Sequence, residues 1–296
     1  MAILLDGKLT SAKVKEEVAA KIAAACADGK APPCLAVVIV GDNPASKVYV
    51  ANKKKACEAV GIRSLSYELP GETTQDELLA LVDRLNGDAD VNGILVQLPL
   101  PGHIDEQTVI ERISPDKDVD AFHPSNVGRI MLGLDGFAPC TPAGIMRLLA
   151  EYGISAAGKN CVVVGRSNIV GKPMALLLLK ANGTVSVCHS KTADLAFHTR
   201  QADILVVAIG RAKFITADMV SEGTVIVDVG MNREDGKLCG DVDFEAVEPV
   251  VGAITPVPGG IGSVTTSVTM AHTVEAAERA AAHRGLLGPA ACGNGR

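Results

Sequence analysis

"NCVVVGRSNIVGKPMA", residues 160–175, reads as a buried strand, a glycine turn and the start of a helix. The valine run has the length and β-branching of a strand covered on both faces. Gly165 stands where strand meets helix. There the backbone can approach a phosphate, and the helix N-terminus favours the anion. Gly165 and Gly171 are six apart with no glycine between them, so this is not G-x-G-x-x-G. Taken alone, the turn also fits a tight βα connection with no ligand.

The stretch opens a series. "GTVSVC" (183–188), "ADILVVAIG" (202–210), "GTVIVDVG" (223–230) and a short run near Val251–Ile254 are further strands, with helices between most of them. That alternation predicts a doubly wound nucleotide-type domain. "TPAGIMRLLAEYGI" (141–154) leads into it as a helix, and the loop "TPVPGGIG" (255–262) closes it. Upstream, "CLAVVIVG" (34–41) is a buried strand, Asn43 caps a helix, and Pro44 takes its first position. "SLSYELP" (64–70), a helix from about Gln75 to Leu85 and "NGILVQLPLP" (92–101) complete a βαβαβ order and hence a parallel sheet.

Residues 114–140, rich in Pro, Gly and Asp, read as the connection between domains. A last helix, from about Thr266 to His283, cannot belong to the second sheet and is expected to pack on the first domain. The tail "RGLLGPAACGNGR" is expected to fray. The expected fold class is α/β, with two α/β domains and a cleft between them, the second of Rossmann type. The first domain takes residues 1–138 plus 267–296, and the second takes 139–266.

The 296 residues are 48% hydrophobic and 21% charged, enough for a large core. A net charge of −6, few aromatics and no Trp argue against a nucleic-acid face. Eight cysteines form no C-x-x-C pair and show no zinc spacing, which suits buried reduced thiols in a cytoplasmic protein. The six histidines show no i, i+4 pairing, so no metal site is expected. "MAILLDGKLT" has too short an apolar run for a signal peptide, and no run approaches the ~18 residues of a membrane span.

Two residues turn the glycine loop toward a particular nucleotide. Arg166 directly follows Gly165. The second strand ends in "CHSKT" (188–192), where an NAD site carries an acid for the ribose hydroxyls. Ser190 and Lys191 stand there instead, and with Arg166 they suit a ribose phosphate, favouring NADP. Asp194, just beyond, reads as part of the next helix's first turn.

In the helix "VYVANKKKACEAVGI" (48–62), Lys53 shares the apolar stripe with Tyr49, Cys57 and Val60, whereas Lys54 and Lys55 turn away. Lys53 either snorkels outward or is held inside, and Tyr49 either fills core or meets a ligand. Gln97 either caps backbone at a strand end or orients the amine, and Asp120 either shapes a turn or binds a ligand. A lysine held against apolar side chains loses solvation, which favours the neutral, basic amine.

In order along the chain, "GDNPASKVYVANKKKACEAVGI", "GILVQLPLP", "PDKDVDAFHP", "PCTPAG", "GRSNIVGKP", "CHSKT" and "TPVPGGIG" resemble the bifunctional methylenetetrahydrofolate dehydrogenase/cyclohydrolase family. The resemblance runs from about Leu5 to Thr273. It implies a homodimer in one-carbon metabolism, serving purine and amino-acid synthesis. Methylenetetrahydrofolate would give hydride to NADP, and water would open the methenyl cation to 10-formyltetrahydrofolate. By position, Lys53 would be the catalytic lysine, Tyr49 would stack on the folate and Gln97 would orient Lys53. Asp120 would hold the pterin edge, and Pro258, Gly259 and Gly260 would line the folate site. Thr141, Gly165, Arg166, Ser167 and Ser190 would hold NADP, with Lys191 beside them.

Two departures stand out. Ala121 replaces the family's usual glycine after the pterin aspartate, which strains it if the position needs φ > 0. "GSVTT" (262–266) stands where the family often reads Gly-Pro-Met-Thr. Another two-domain NADP dehydrogenase, or a non-catalytic nucleotide-binding protein, would explain the glycine turn. Neither accounts for Tyr49, Lys53, Gln97 and Asp120 together.

Overall fold

The computed structural model describes residues 2–287; the side chains at 44–46, 48–49 and 284–287 lie outside the described set, as does the tail beyond 287. The first half runs β1 (Ile3–Leu4), α1 (Gly7–Ala27), β2 (Cys34–Val40), α2 (Pro44–Val60), β3 (Arg63–Leu69), α3 (Gln75–Gly87), β4 (Gly93–Val96), α4 (Glu106–Arg112) and α5 (Pro124–Met131). The second runs α6 (Cys140–Glu151), β5 (Asn160–Val164), α7 (Gly171–Lys180), β6 (Thr184–Cys188), α8 (Leu195–Arg200), β7 (Ile204–Val207), β8 (Val225–Asp228), β9 (Asn232–Glu234), β10 (Lys237–Cys239), α9 (Phe244–Val247), β11 (Ala253–Ile254) and α10 (Ile261–Leu287). By internal contacts, residues up to 15 group with 120–269, and residues 16–119 group with 270 onward. That grouping differs from the boundaries expected at 138/139 and 266/267. β1 and residues 120–138 go with the nucleotide-type sheet.

In the unit holding 16–119, β2 is the centre of a parallel sheet ordered β3-β2-β4. All seven of its residues are buried, as a strand covered on both faces requires. α3 lays Leu78, Leu81, Val82 and Leu85 on this sheet, the i, i+3, i+4, i+7 stripe of a core-facing helix. Each such side chain stabilises by roughly 1.5–3 kcal/mol. Thr74 and Glu77 form a reciprocal capping box at its start. At its end the Lys117 ammonium donates to the carbonyls of Leu85 (2.9 Å), Asn86 (2.9 Å) and Asp88 (2.6 Å), satisfying the last-turn acceptors. Burial pushes the Lys117 amine below its ordinary range.

The other unit holds a six-stranded sheet ordered β1-β11-β8-β7-β5-β6, parallel throughout. The strands read at 160–165, 183–188, 202–210 and 223–230 all lie in it. β1 pairs with β11 at one edge, an assignment that two residues near the chain start do not announce. β9 and β10 form a hairpin across Asp235–Gly236, both at positive φ, the turn that an Asp-Gly pair favours. The stretch read as the connection contains α5, with His123 as cap and Pro124 at its first position. α10 starts at Ile261, five residues before the expected Thr266, because Val264 packs with Cys140 and Val268. By internal contacts its residues up to 269 group with the nucleotide-type sheet, and those from 270 group with the other unit. Asp194 is the cap of α8, at φ 44, rather than a first-turn residue. Among the described residues seven cysteines are free; five are buried, Cys239 is half-buried and Cys26 is exposed. No described helix is long and apolar enough to cross a membrane.

Two buried carboxylates tie the ends of β7 and β8. Asp228 accepts from the backbone N–H of Gly230 (2.9 Å), Asp241 (3.0 Å) and Val242 (2.9 Å). Asp241 accepts from Ile209 (2.7 Å), Gly210 (3.0 Å) and Arg211 (2.8 Å), and from the Asn232 amide (2.9 Å). Burial pushes the Asp228 carboxyl up to about 6, although three backbone donors oppose the rise. A raised acid holds its proton more tightly in the folded chain. The stability it contributes is therefore full below the ordinary value of 3.8 and lost as pH rises through about 6. Two units correspond to about 3 kcal/mol. Urea titrations at pH 4.5 and 7.5 should show that this component is absent from Asp228→Asn. An unchanged pH slope in that variant would refute the assignment.

Ala121 adopts φ 61 and is fully buried. The strain expected of alanine at this position is present. A left-handed conformation costs roughly 1–2 kcal/mol for a residue with a Cβ. Ala121→Gly removes that cost but loses a buried methyl, about 0.8 kcal/mol, and loosens the unfolded chain by roughly 0.4–1 kcal/mol. Its measured stability should lie within about 1 kcal/mol of the parent. Ala121→Val adds bulk and β-branching and should lose at least ~2 kcal/mol. Equal stability of the two variants would contradict this account.

Candidate functional site

In the unit holding 120–269, a cavity of about 290 Å³ opens at the C-terminal ends of β5, β6 and β7. Open α/β sheets bind ligands at such strand ends. Val164, Gly165 and Arg166 come from the end of β5, His189 and Ser190 from that of β6, and Ala208 and Ile209 from that of β7. Leu195, Arg211 and Phe214 complete the lining. Gly165 has φ 131, and a Cβ there would overlap the Ala208 carbonyl oxygen. A Cβ at Gly171 would overlap the Gly165 carbonyl oxygen. Only glycines allow the turn, α7 and the neighbouring strand to come this close, so the spacing of six is the packing form of the nucleotide turn.

Three of the expected cofactor residues, Gly165, Arg166 and Ser190, line this one cavity. Ser167 does different work: its hydroxyl accepts from the N–H of Val170 (3.1 Å) and Gly171 (3.3 Å) and closes the entry to α7. Lys191 is exposed and is not among the lining residues; its N–H donates to His189 Nδ1 at 3.1 Å. Thr141, on α6, pairs its hydroxyl with that of Thr265 at 3.2 Å, next to the departing "GSVTT" stretch. Within that stretch Val264 is fully buried and lies against Gly144.

Sequence reasoning missed Leu195, Arg211 and Phe214, which reach the cavity through topology rather than motif. It also missed Asp241, whose carboxylate holds the N–H groups of residues 209–211 and thereby shapes one wall. Nothing in "GDVD" announces that task.

In the unit holding 16–119, Lys53 is 4% exposed, while Lys54 and Lys55, which follow it, are exposed. One turn on, burial pushes the Cys57 thiol up to about 11, with the Lys53 ammonium opposing the rise. The amine and thiol therefore share the inner face of α2. Tyr49 stands in α2, but its side chain lies outside the described residues. Gln97 follows β4. Its N–H donates to Val38 O (2.8 Å) and its Nε2 to Leu98 O (2.8 Å). Its Oε1 is buried and has no hydrogen-bond partner among the described residues. A buried acceptor left open costs roughly 1–3 kcal/mol.

The segment "PDKDVDAFHP" is anchored by its first half. Ile94 N–H donates to Lys117 O at 2.7 Å, and Asp118 bridges Ile94 in parallel. Lys117 and Asp118 are thus fastened to the sheet, and Asp120, half-buried, follows them. Gly259 and Gly260 form a loop whose Gly259 carbonyl accepts from Gly7 N–H (3.0 Å) at the start of α1; Pro258 beside them is exposed. The loop is the last turn before α10.

Two family models match this chain. Residues 5–120 match the catalytic domain, and residues 139–281 the NAD(P)-binding domain, of tetrahydrofolate dehydrogenase/cyclohydrolase. The bifunctional protein FolD of Campylobacter curvus is 56% identical over 285 residues, covering 96% of this chain and 99% of its own. The same protein of Lachnoclostridium phytofermentans is 57% identical over 280 residues, covering 94% and 99%. The crystal structure of the FolD enzyme of Campylobacter jejuni superposes with a TM-score of 0.93 at 54% identity, covering 94% of this chain and 99% of that one. The Trypanosoma brucei enzyme, solved with NADP and an inhibitor, gives a TM-score of 0.90 at 36% identity, covering 95% and 98%. With its two domain matches spanning nearly the whole length, the chain belongs to the tetrahydrofolate dehydrogenase/cyclohydrolase family.

Proposed function

We propose that Lys53 accepts the proton of the hydrolytic step and that Arg166 and Ser190 read the ribose phosphate of the cofactor. The chain is an NADP-dependent methylenetetrahydrofolate dehydrogenase and methenyltetrahydrofolate cyclohydrolase. NADP supplies the hydride acceptor when bound, and the cavity at β5, β6 and β7 fits it. It has a glycine turn with no Cβ in the way, a guanidinium and a hydroxyl where a ribose phosphate needs donors, and apolar walls for a base.

The oxidation takes hydride from a carbon flanked by nitrogen lone pairs, so it asks for positioning more than for a strong base. Asp120 accepts two hydrogen bonds from the amino and ring N–H donors of the pterin edge. Tyr49 stacks on the folate, and Pro258, Gly259 and Gly260 contact it. Thr141, Ser167 and Lys191 stand around the cofactor, Ser167 by holding the turn itself. In the hydrolysis, water adds to the methenyl carbon and loses a proton as the C–O bond forms; the resulting carbinol then gives up its hydroxyl proton as the C–N5 bond breaks and N5 takes up a proton, leaving the formyl group on N10. The Lys53 amine takes that proton. Gln97 Oε1 supplies a fixed acceptor for the ammonium that results, or for a donor on the substrate. The observation that carries the reading is the burial of Lys53 while Lys54 and Lys55, which follow it, are exposed. A lysine is seldom placed inside, so its position on the inner face of α2 sets it apart from the two solvated lysines beside it. By resemblance, and with its free cysteines, the chain is assigned to the cytoplasm as a homodimer.

Lys53→Met keeps the stem and removes the amine. Cyclohydrolase turnover should fall by at least ~100-fold, the scale of general base catalysis, while some dehydrogenase turnover survives. Lys54→Met should leave both nearly intact. Methenyltetrahydrofolate hydrolysis by Lys53→Met at the parent rate would refute the role. Arg166→Ala should lower discrimination for NADP over NAD by about tenfold to a hundredfold, the scale of a charge-assisted contact to phosphate. An unchanged ratio of kcat/KM for the two cofactors would remove Arg166 from that task.

A further inference from the structure

We propose that Arg211, laid flat by Phe214, is the platform on which the adenine of the cofactor stacks. The proposal rests on the reading of this cavity as the NADP site. Its guanidinium carbon lies 4.2 Å from the centroid of the Phe214 ring, and both residues line the cavity. The backbone beneath is fixed, because Arg211 N–H donates to the buried Asp241 carboxylate at 2.8 Å.

Sheet order decides what a platform there would meet. β5 lies between β7 and β6. Two strand spacings put the β7 end, which leads to Arg211, roughly 9–10 Å from the β6 end, which leads to Ser190. Arg166 and Ser190 hold the ribose phosphate on the β5 and β6 side. Arg211 and Phe214 follow the β7 end on the opposite side, and Leu195, Ala208 and Ile209 give the same cavity an apolar lining. A flat heteroaromatic base fits that apolar space, and a planar guanidinium already stacked on one ring suits stacking on another. Arg211 is a determinant of nucleotide affinity and carries no selectivity for the phosphate.

Calorimetric titration of NADP, NAD, 2′,5′-ADP and nicotinamide mononucleotide tests this. Arg211 is exposed, so its substitution leaves the fold intact. Arg211→Ala should weaken NADP, NAD and 2′,5′-ADP alike, by about 10-fold on the scale of lost base stacking, with nicotinamide mononucleotide unchanged. Arg211→Lys keeps the charge but not the plane and should behave like the alanine variant. Loss confined to NADP and 2′,5′-ADP would show a phosphate-reading arginine and overturn the proposal. Full binding by Arg211→Lys, or by Arg211→Ala, would overturn it too. If Arg166→Ala also left NADP binding unchanged, the reading of the cavity itself would fail, separately from the role of Arg211.

Discussion

Backbone contact without intervening methyl groups holds the nucleotide half together. The carbonyl of Ala208 sits where a Cβ of Gly165 would be, and the carbonyl of Gly165 sits where one of Gly171 would be. These two contacts draw β5 against β7 and seat α7 on the turn, leaving open space at the strand ends. Ser167 then closes the helix entry with its hydroxyl, and Asp241 fixes the opposite wall by accepting three consecutive backbone N–H groups. A methyl at either glycine would push apart the elements whose ends form the cavity.

The catalytic half rests on a different imbalance. α2 places one lysine of three on its buried face, and β4 leads to a glutamine with an open buried acceptor. In the proposed reaction both features serve the hydrolytic step. Cys57, one turn from Lys53, stays an inert thiol through burial despite the nearby ammonium.

Periodicity made much of this legible. The valine runs announced the central strands of both sheets because parallel strands are buried on both faces, and the stripe through Lys53 and Cys57 separated one lysine from its neighbours. Ala121 was readable because it stands where the resemblance places a glycine, and its backbone is left-handed. What stayed hidden depends on long-range contact. A two-residue strand at Ile3–Leu4 gains its identity from β11 alone. α10 begins at Ile261 because its first turns pack on Cys140, a partner more than a hundred residues away. Lys191 sat in the right motif yet does not line the cavity, whereas Arg211 and Phe214 carried no motif and do. The turn at Asp235–Gly236 carried a hairpin signal that could have been used.

Turnover of methylenetetrahydrofolate by the unaltered protein, followed by absorbance with NADP and with NAD in parallel, tests the central claim most directly. With NADP, methenyltetrahydrofolate should form and then decay to 10-formyltetrahydrofolate far faster than in buffer, and NAD should support the first step poorly. Methenyl product that persists as it does in buffer, or equal rates with the two cofactors, would contradict the account.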